Sequence, residues 1–293
     1  MTRLRRETIL VFGASGSVGR EVVSQLGAAA VDVRGLTRDP ESAAMPPEVE
    51  TVRGDITDPA SLESALAGVD AVFLLWPSFS AEGVDAVIDA IDRHVKRVVY
   101  LSAQAAVADP ESVWAVIERR IAATEPEWTF LRPTGFAKNT LGWADQIAAG
   151  VVTAPYGRAA RSLIDERDMA AVAVRALTGT ELEGFGIPAE SFNGHGGETY
   201  VLSGPETVTQ AEQVQIIGEA IGRRVLWQEQ PRAEALPAIA AAFGSEAIAE
   251  GALDTWQGFE TEPEIVTSTV QEVTGRRAHS FVEWAREHAD EFR

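Results

Sequence analysis

Three glycines in the stretch VFGASGSVGR are the residues best suited to bind an anion: Gly13, Gly16 and Gly19. An apolar run precedes them and a helical pattern follows, so they form a turn between a strand and a helix. Such a turn brings the backbone close to a pyrophosphate, and free N–H groups at the helix start attract its charge. Ser15 and Ser17 add hydroxyl donors. We predict a dinucleotide-binding loop; the alternative is an ordinary turn without a ligand.

The end of the second predicted strand indicates which dinucleotide the loop prefers. NAD-binding proteins commonly place a carboxylate there to hold the ribose hydroxyls, but this chain has Thr37 followed by Arg38. A guanidinium pairs with a 2′-phosphate, whereas a carboxylate repels it. We therefore favour NADP(H), while Asp39, one residue further on, leaves NAD(H) open. Arg34 is a weaker phosphate candidate because it falls within the strand.

Two residues that follow the third predicted strand are candidates to meet an adenine ring. They are Asp55 and Ile56, in the stretch RGDITDP. For Asp55 the alternative is a carboxylate that caps the turn, a common role of aspartate in loops. The residues alone do not choose between these two roles.

The helical stretch SVWAVIER falls where many reductases with such a loop carry a tyrosine and a lysine four residues apart. Here the same spacing holds Trp114 and Glu118. An indole does not ionise usefully, and a carboxyl group must be protonated to act as an acid, so the usual proton donor is missing. Trp114 is either a wall of the substrate pocket or a packing residue. The residues predicted to face the core are Val113, Ile117 and Ile121.

Three other side chains are candidate catalytic groups. Ser102 ends the fifth predicted strand, where a hydroxyl can bond a substrate oxygen; the alternative is a turn or helix-cap serine. Lys138 follows the stretch RPTGF and can reach the nicotinamide ribose or the substrate; the alternative is a solvated surface lysine. Tyr156 is a further candidate donor, whereas His195 is assigned a structural role.

The absence of the usual proton donor narrows the range of substrates that the protein can reduce. A quinone or a conjugated cation takes a hydride readily, and water or a hydroxyl can protonate the product. A simple ketone needs its developing alkoxide stabilised, and few residues here can do so. The sequence therefore favours an electron-poor, conjugated aromatic acceptor.

The elements that must position these residues follow from the apolar pattern. Short apolar runs alternate with helical patterns, as expected for a parallel sheet covered on both faces. We predict an α/β fold, a Rossmann-type doubly wound parallel sheet with a small C-terminal α/β substrate-binding lobe. The predicted strands of the sheet are residues 8–13, 31–38, 49–55, 70–77, 97–103 and 127–133; the predicted helices include 17–30, one opened by Asp58 and Pro59, 81–95, 110–124, 136–150, 164–179 and 279–292.

The same pattern predicts the domain organisation. Residues 1–133 form the dinucleotide-binding core, and residues 134–293 are mostly substrate-binding lobe and capping helices, interleaved with the core. A strand, turn, helix and strand are predicted over 197–227, and the glycine-rich stretch 184–197 is predicted to be a loop.

Composition limits the classes of partner. The chain has 25 basic and 44 acidic residues, and the formal charge of −19 repels nucleic acid and anionic lipid. It has no cysteine, which excludes disulfides and thiolate sites. Its 4 histidines show no metal-binding spacing, and no apolar run is long enough to span a membrane. We expect a cytoplasmic monomer or homodimer whose partner is a small aromatic or quinone-like substrate, with no metal, nucleic acid or membrane.

Seven blocks of the sequence together resemble a known family. In chain order they are VFGASGSVGREVV, LTRDP, VRGDITDPASLESALAGVDAVFLL, RVVYLSA, WTFLRPTGFAKN, IDERDMAAVAV and YVLSGPETVT. From about residue 8 to about residue 227, the chain is similar to the NmrA-like atypical short-chain dehydrogenase/reductases. It looks closest to the branch of NADPH-dependent quinone reductases and triphenylmethane-dye reductases. The resemblance implies a Rossmann domain, a small C-terminal substrate lobe and a nicotinamide cofactor.

The resemblance also assigns roles to residues. It places the cofactor phosphates at Gly13, Ser15, Gly16, Ser17 and Val18. It places the adenosine ribose at Arg38, the adenine at Asp55 and Ile56, and the stretch beside the cofactor at Leu75 and Trp76. The segment flanking nicotinamide and substrate contains Pro133, Gly135 and Phe136. With the residues argued above, Thr37 and Lys138 join the cofactor site, and the predicted substrate site comprises Trp76, Trp114, Glu118, Gly135 and Phe136.

Membership of this family leaves three functions open. We favour an NADPH-dependent reductase that transfers hydride to a quinone-like or conjugated aromatic substrate. One alternative is a redox sensor that binds NAD(P) and regulates a partner without turnover. The other is an enzyme that tailors aromatic polyketides, including by oxygenation.

Overall fold

The computed structural model of the protein describes residues 5–29, 31–179 and 194–293. The strands in these ranges are β1 (Thr8–Val11), β2 (Asp32–Thr37), β3 (Glu50–Arg53), β4 (Ala71–Leu75), β5 (Arg97–Leu101), β6 (Glu127–Pro133), β7 (Val151–Ala154), β8 (Ala160–Arg161), β9 (Glu198–Leu202), β10 (Val208–Thr209) and β11 (Leu226–Glu229). The α-helices are α1 (Ser17–Leu26), α2 (Leu62–Leu66), α3 (Val84–His94), α4 (Ala105–Ala108), α5 (Val113–Ala122), α6 (Ala144–Ala149), α7 (Glu166–Thr178), α8 (Gln210–Ala220), α9 (Arg232–Phe243), α10 (Glu246–Gly258), α11 (Thr269–Thr274) and α12 (Phe281–Glu287). No helix in these ranges is long and apolar enough to cross a membrane.

Seven strands form one parallel sheet in the order β3-β2-β1-β4-β5-β6-β9. The strand order reverses between β1 and β4, because the chain adds β2 and β3 on one side and the later strands on the other. The carboxyl ends of parallel strands share one edge, and ligands of such sheets bind there at the reversal point. The predicted Rossmann-type doubly wound sheet is therefore confirmed.

Both faces of this sheet are covered by helices. Alternate residues of each strand point to opposite faces, and on one face Leu74, Tyr100 and Phe130 pack with apolar residues of α2, α3 and α5. On the other face α1 packs against α7. The central strands are fully buried, as Val72 and Phe73 of β4 illustrate at 0% exposure, which explains their continuous apolar sequence.

The chain divides into two compact units. The first comprises Met1–Pro133, Glu166–Leu202 and Thr269–Arg276, and it contains the seven-stranded sheet. The second comprises Thr134–Asp165, Ser203–Ser268 and Arg277–Arg293. Each unit is therefore assembled from several separate stretches of the chain.

The second unit builds its core around α8 and α12. Trp284 of α12 is fully buried, stacks on Phe281 and meets Phe292 edge to face. Strand β7 pairs in parallel with β11, and β8 pairs antiparallel with β10. These short strands and helices make a small α/β lobe, and its substrate-binding role stays a prediction.

Most predicted elements form, with shorter bounds than predicted. The helix predicted over 110–124 is α5, and Gly179, with φ +67°, ends α7 as predicted. The helix predicted to open at Asp58 begins instead as a 3-10 turn at Pro59. Asp58 occupies the N-cap position, but its side chain makes no capping hydrogen bond with a described residue. The helix predicted over 136–150 is a 3-10 helix followed by α6. The part of the predicted glycine-rich loop from 184 to 193 lies outside the described residues.

His195 helps to hold the edge strand β9 beside β6. Its backbone carbonyl accepts a 2.8 Å hydrogen bond from the Thr129 hydroxyl, and its Nδ1 lies 2.9 Å from the Tyr200 hydroxyl. Burial lowers the pKa of His195, and the nearby charges of Arg175 and Arg97 lower it further. The neutral ring therefore has a structural place in the fold, as its sequence context indicated.

Protonation of His195 should destabilise the protein. Because its pKa is lower in the folded chain than the ordinary value of 6.5, its stabilising contribution is present above pH 6.5 and is lost as the pH falls below that value. We expect the melting temperature to fall between about pH 7 and about pH 5.5 in the wild type, and to fall less in His195→Gln. Equal slopes for His195→Gln and wild type would contradict the prediction.

Candidate active site

The predicted dinucleotide loop is the turn between β1 and α1. Gly13 has φ +66°, a left-handed conformation that side chains disfavour, and its carbonyl accepts a 2.8 Å hydrogen bond from the Gly16 N–H. A Cβ on Gly19 would lie 2.0 Å from that carbonyl oxygen, so the turn closes this tightly only with glycine. Ala14 is buried beneath the turn, whereas Ser15 is exposed.

The start of α1 is suited to hold a diphosphate. At Gly16 no side chain of the described residues caps the helix, so the first N–H groups are open to an anion. The first turn, from Ser17 to Arg20, carries no carboxylate that would repel phosphate. Val18 is buried and anchors this turn to the core. The loop thus fits the pyrophosphate of a dinucleotide.

Asp39, the residue that kept NAD(H) open, is bonded within its own loop. Its Oδ2 accepts a 2.7 Å hydrogen bond from the Ser42 hydroxyl, and its Oδ1 accepts one of 3.2 Å from the Glu41 N–H. The Ser42 bond contributes most to lowering the pKa of Asp39, and the charge of Arg53 lowers it too. The carboxylate is therefore engaged at the position where an NAD-binding protein needs it free.

Two arginines at this end of the sheet are positioned to bind a phosphate. Arg38 follows β2 and Arg53 ends β3, where it is in register with Thr37. Both side chains are exposed, and neither has a hydrogen bond or ion pair with any described residue. Together they offer two guanidinium groups to a phosphate, which is the charge pattern expected for a 2′-phosphate.

Arg34 does not have the phosphate role considered for it. Its Nε donates a 2.8 Å hydrogen bond to Glu50, and its Nη1 donates to the carbonyls of Ala65 at 2.6 Å and Ala67 at 3.1 Å. The side chain is committed to joining β2, β3 and the end of α2. Arg53 was missed, although its position at the end of the third strand was a usable signal.

Asp55 caps a turn, as one of its two interpretations required. Its Oδ1 accepts hydrogen bonds from the Thr57 N–H at 2.9 Å and the Thr57 hydroxyl at 2.8 Å. These bonds lower the pKa of Asp55, and the charge of Arg38 lowers it further. Ile56 is half-buried against the core beneath α2 and α3. Contact of either residue with adenine stays a prediction.

Leu75 and Trp76 lie at the reversal point of the sheet. A Cβ on Gly13 would lie 3.7 Å from Leu75 Cδ2, so the leucine flanks the glycine loop. The Trp76 indole donates a 2.8 Å hydrogen bond to the carbonyl of Ser80, which fixes the ring against the loop that follows β4. Both residues therefore lie where the sequence placed them, beside the predicted cofactor position.

An aromatic pair extends this edge of the sheet. Phe79 meets Trp114 of α5 edge to face, with ring centroids 5.8 Å apart, and it remains 49% exposed. Trp114 itself is half-buried, so the pair presents an aromatic surface rather than a filled core. Phe79 was missed by the sequence analysis, because a single aromatic residue in a polar loop gives no periodic signal.

Ser102, Glu118 and Arg132 form a buried network at the ends of β5 and β6. The Ser102 hydroxyl donates a 2.5 Å hydrogen bond to Glu118 Oε1. Arg132 Nε donates to the same oxygen at 2.9 Å, and Arg132 Nη2 donates to Glu118 Oε2. The bond to Glu118 raises the pKa of Arg132, and Glu118 is only 5% exposed. Two parallel bonds of this kind hold a carboxylate in a fixed orientation.

This network restricts what Ser102 can do in a reaction. The single hydroxyl proton is directed at Glu118, so the Ser102 oxygen is left to accept hydrogen bonds. Tyr100, on the same face of β5, is fully buried, and its burial together with the charge of Glu118 raises its pKa. Neither hydroxyl is a ready proton donor, and the catalytic role of Ser102 stays a prediction.

The predicted residues of the second unit include Gly135, Phe136 and Lys138. A Cβ on Gly135 would lie 2.3 Å from Arg161 Nη2, so a side chain here would require that guanidinium to move. Phe136 is half-buried, and its backbone pairs with that of Ile164 in an isolated parallel β-bridge. Lys138 is half-buried on the 3-10 helix Ala137–Trp143. Their contacts with nicotinamide or substrate stay predictions.

Tyr156, also in the second unit, has an unusual backbone. Its φ is +63°, and it is the one non-glycine residue with positive φ in the described ranges. Glu229 compensates by accepting hydrogen bonds from the N–H groups of Tyr156 and Gly157. The Tyr156 hydroxyl makes a long bond of 3.4 Å to Gln257. Such strain costs about 1–3 kcal/mol and is concentrated at functional sites, which favours retaining Tyr156 as a candidate donor.

The carboxyl edge of the first unit thus brings together most of the predicted cofactor and substrate residues. They are Gly13, Ser15, Gly16, Ser17, Val18, Thr37, Arg38, Asp55, Ile56, Leu75, Trp76, Trp114, Glu118 and Pro133. A parallel sheet with a glycine loop at its reversal point and an uncapped helix behind that loop defines a dinucleotide-binding protein.

Comparison with known proteins identifies the family. A family model described as NAD(P)H-binding matches residues 13–180, more than half of the chain. The chain belongs to this NAD(P)H-binding family. The resemblance stated from the sequence blocks is confirmed.

Relatives match almost the whole chain. A (4-alkanoyl-5-oxo-2,5-dihydrofuran-3-yl)methyl phosphate reductase of Streptomyces griseus is 39% identical over 97% of this chain and 99% of that protein. An NAD(P)H azoreductase of Xenophilus azovorans is 31% identical over 97% of this chain and 99% of that protein. In structure, the Citrobacter sp. triphenylmethane reductase complexed with NADP(H) has a TM-score of 0.77 at 23% identity, covering 96% of this chain and 99% of that one.

Removing the guanidinium of Arg38 should weaken NADP⁺ binding selectively. A charge-assisted hydrogen bond to phosphate would be lost, so we expect Arg38→Ala to raise the Kd of NADP⁺ about tenfold and that of NAD⁺ less than about twofold. Calorimetry with both dinucleotides measures the effect. The matched control is Arg6→Ala, another exposed arginine, which should change neither value. An equal loss of both affinities in Arg38→Ala would show that Arg38 does not read the 2′-phosphate.

Proposed function

We propose that this protein is an NADPH-dependent reductase of electron-poor, conjugated acceptors, with quinone-like and other conjugated aromatic compounds as its substrate class. The observation that carries the proposal is the bond from Ser102 to Glu118, which Arg132 holds in place. It occupies the hydroxyl proton that a ketone reductase would direct at its substrate. An acceptor that needs no protein acid is the substrate that such a site favours.

The chemistry balances without a protein donor. NADPH, when bound, supplies a hydride. The conjugated acceptor takes that hydride at an electron-poor atom and one proton from water, and the products are the two-electron-reduced acceptor and NADP⁺. The first-unit residues serve by orienting the two reactants.

The named relatives support this substrate class. The dihydrofuranone named for the Streptomyces griseus relative has a ring double bond conjugated to two carbonyl groups. The Xenophilus azovorans relative is named for azo compounds, in which the N=N bond is the acceptor. Both are acceptors that stabilise the added electron pair by conjugation. Both relatives are also named as reductases, which favours turnover over a sensor without activity and over oxygenation.

Two further features support NADPH and an aromatic acceptor. The side chains of Arg38 and Arg53 have no hydrogen bond or ion pair with a described residue, while Asp39 accepts a hydrogen bond from Ser42. This charge pattern favours the 2′-phosphate of NADPH over the 2′-hydroxyl of NADH. The Phe79–Trp114 pair offers an exposed aromatic surface on which a planar acceptor can stack.

The test measures the decrease in NADPH absorbance when the protein is given each acceptor of a panel. The panel holds a quinone, an azo dye, a triphenylmethane dye, a 4-alkanoyl dihydrofuranone and, as the control, a simple aliphatic ketone. Turnover of one or more conjugated acceptors, without turnover of the ketone, is the expected result. NADPH binding without turnover of any acceptor would reject the proposal and favour the sensor; oxygen consumption with a polyketide-like ring would favour the oxygenase.

Removing the Trp114 ring should weaken binding of the acceptor and leave binding of the cofactor unchanged. Stacking on an aromatic side chain contributes about 0.5–1.5 kcal/mol, so Trp114→Ala should raise the KM of an aromatic acceptor about three- to tenfold and leave the Kd of NADP⁺ unchanged. Trp128→Ala is the control, because Trp128 lies near the amino end of β6, at the opposite edge of the sheet. Equal changes in KM and Kd for Trp114→Ala would mean that Trp114 only packs.

A further inference from the structure

Strand β11 of the second unit has an outer edge to which no strand of the described chain is paired. Leu226 N–H donates a 3.0 Å hydrogen bond to the carbonyl of Gly150, and Gln230 N–H donates one of 3.0 Å to Ala154. Backbone groups alternate along a strand, so the groups of Trp227 point away from β7. The Trp227 backbone N–H makes no hydrogen bond with a described residue. This edge can therefore accept another strand.

The sequence along the edge lacks the usual protection against strand pairing. Natural edge strands are commonly blocked by lysine, by proline or by a covering segment. Residues 225–230 read VLWQEQ, with neither lysine nor proline. A groove of about 690 Å³ runs beside the stretch 222–227 instead, and its far wall is one side of α8, formed by Ala211, Gln215 and Glu219. The edge is thus accessible along the length of a short strand.

The two faces of the β7–β11 sheet differ in burial. Val152 and Trp227 are partners in register, and Val152 is fully buried in the core of the second unit. Val151 and Leu226 are partners on the opposite face, where they remain 36% and 48% exposed. Two large apolar side chains therefore lie side by side at the surface, next to an open strand edge.

A second copy of β11 would complete both the edge and the apolar pair. With antiparallel strands and a two-fold axis at Leu226, each Leu226 lies opposite Leu226 of the second copy, in the close pair that makes no backbone bonds. Trp227 then exchanges backbone hydrogen bonds with Val225 of the second copy. The side chains of Val151 and Leu226 from both copies form one apolar row, and the axis makes every contact occur twice.

The same register also brings opposite charges together. Arg223 lies three residues before the axis and Glu229 three residues after it, so each Arg223 is opposite Glu229 of the second copy. The exposed Glu229 carboxylate is held in place by the N–H groups of Tyr156 and Gly157. Arg223 is exposed too, and its Nη2 donates a 3.0 Å hydrogen bond to the carbonyl of Ala148, which leaves its other N–H groups for a carboxylate. Opposite charges that face each other across strands favour this register.

We propose that the protein is a homodimer in which the β11 strands of two copies pair antiparallel about Leu226. The two small sheets then form one four-stranded sheet in the order β7-β11-β11-β7. The occupant of the groove beside α8 is thus a second copy of the chain. The proposal concerns assembly only, and it holds whichever acceptor the protein reduces.

A single introduced thiol tests the register, because the chain has no cysteine of its own. Residues opposite each other in the close pair have Cα atoms about 4.5 Å apart, which a disulfide can span. We expect Leu226→Cys to form a disulfide-linked dimer under mild oxidation, measured by non-reducing gel electrophoresis. Gln228→Cys is the matched control on the same exposed face of β11. Its two copies would lie about 14 Å apart, so it should stay largely unlinked.

Sedimentation velocity tests the dimer itself. We expect the wild type at about 100 µM to sediment with twice the chain mass of 31.4 kDa and to dissociate on dilution. Leu226→Lys places like charges opposite each other and should raise the dissociation constant of the dimer at least about tenfold. Val266→Lys changes another exposed valine of the second unit, outside the proposed interface, and should leave the dimer intact. An unchanged Kd of NADP⁺ establishes that both variants fold.

Three results would overturn the proposal. A wild type that stays monomeric at about 500 µM would exclude the dimer. A dimer that Leu226→Lys leaves intact would place the interface elsewhere. Equal linking of Leu226→Cys and Gln228→Cys would indicate collisions between exposed thiols and not paired strands. If Leu226→Lys does not fold, Leu226→Gln removes the apolar contact with a smaller change and should weaken the dimer in the same direction.

Discussion

The paired hydrogen bonds from Arg132 to Glu118 are the interaction on which the carboxyl edge of the sheet depends. They join β6 to α5, and through Ser102 they also fix the end of β5. Removing one partner of a fully buried pair costs about 3–5 kcal/mol, and less is expected here because the Arg132 side chain is 24% exposed. The ion pair therefore holds Glu118 in one orientation and with it the direction of the Ser102 hydroxyl proton.

Much of the first unit could be predicted from the sequence because its signals are local. Buried parallel strands require continuous apolar runs, as in β4 and β5. The turn requires its glycine spacing, because a Cβ on Gly19 would lie 2.0 Å from the Gly13 carbonyl oxygen. Arg38 could be proposed as a phosphate ligand for the same reason, since that prediction depends only on its place after one strand. The helices of the lobe were harder: α9 contains Pro237 and a run of alanines, which give no amphipathic pattern.

The parts that sequence could not supply are those that depend on which side chains meet. Ser102, Glu118 and Arg132 are separated along the chain, and no spacing rule predicts that a serine proton will be taken by a carboxylate on a neighbouring helix. Arg34 lies within β2 and Arg53 ends β3, and only the hydrogen bonds to the carbonyls of Ala65 and Ala67 show that the Arg34 guanidinium is occupied.

The interleaving of the two units has a consequence for how the chain is made. The first unit needs β9, from residues 198–202, to extend its sheet beyond β6, and it also includes α11 from residues 269–274. Its last stretch therefore leaves the ribosome only after residues 134–165 and 203–268 of the second unit have been synthesised. Neither unit can finish folding while the other is still absent from the nascent chain. Cutting the chain at Pro133 would thus remove strand β9 and helix α7 from the first unit.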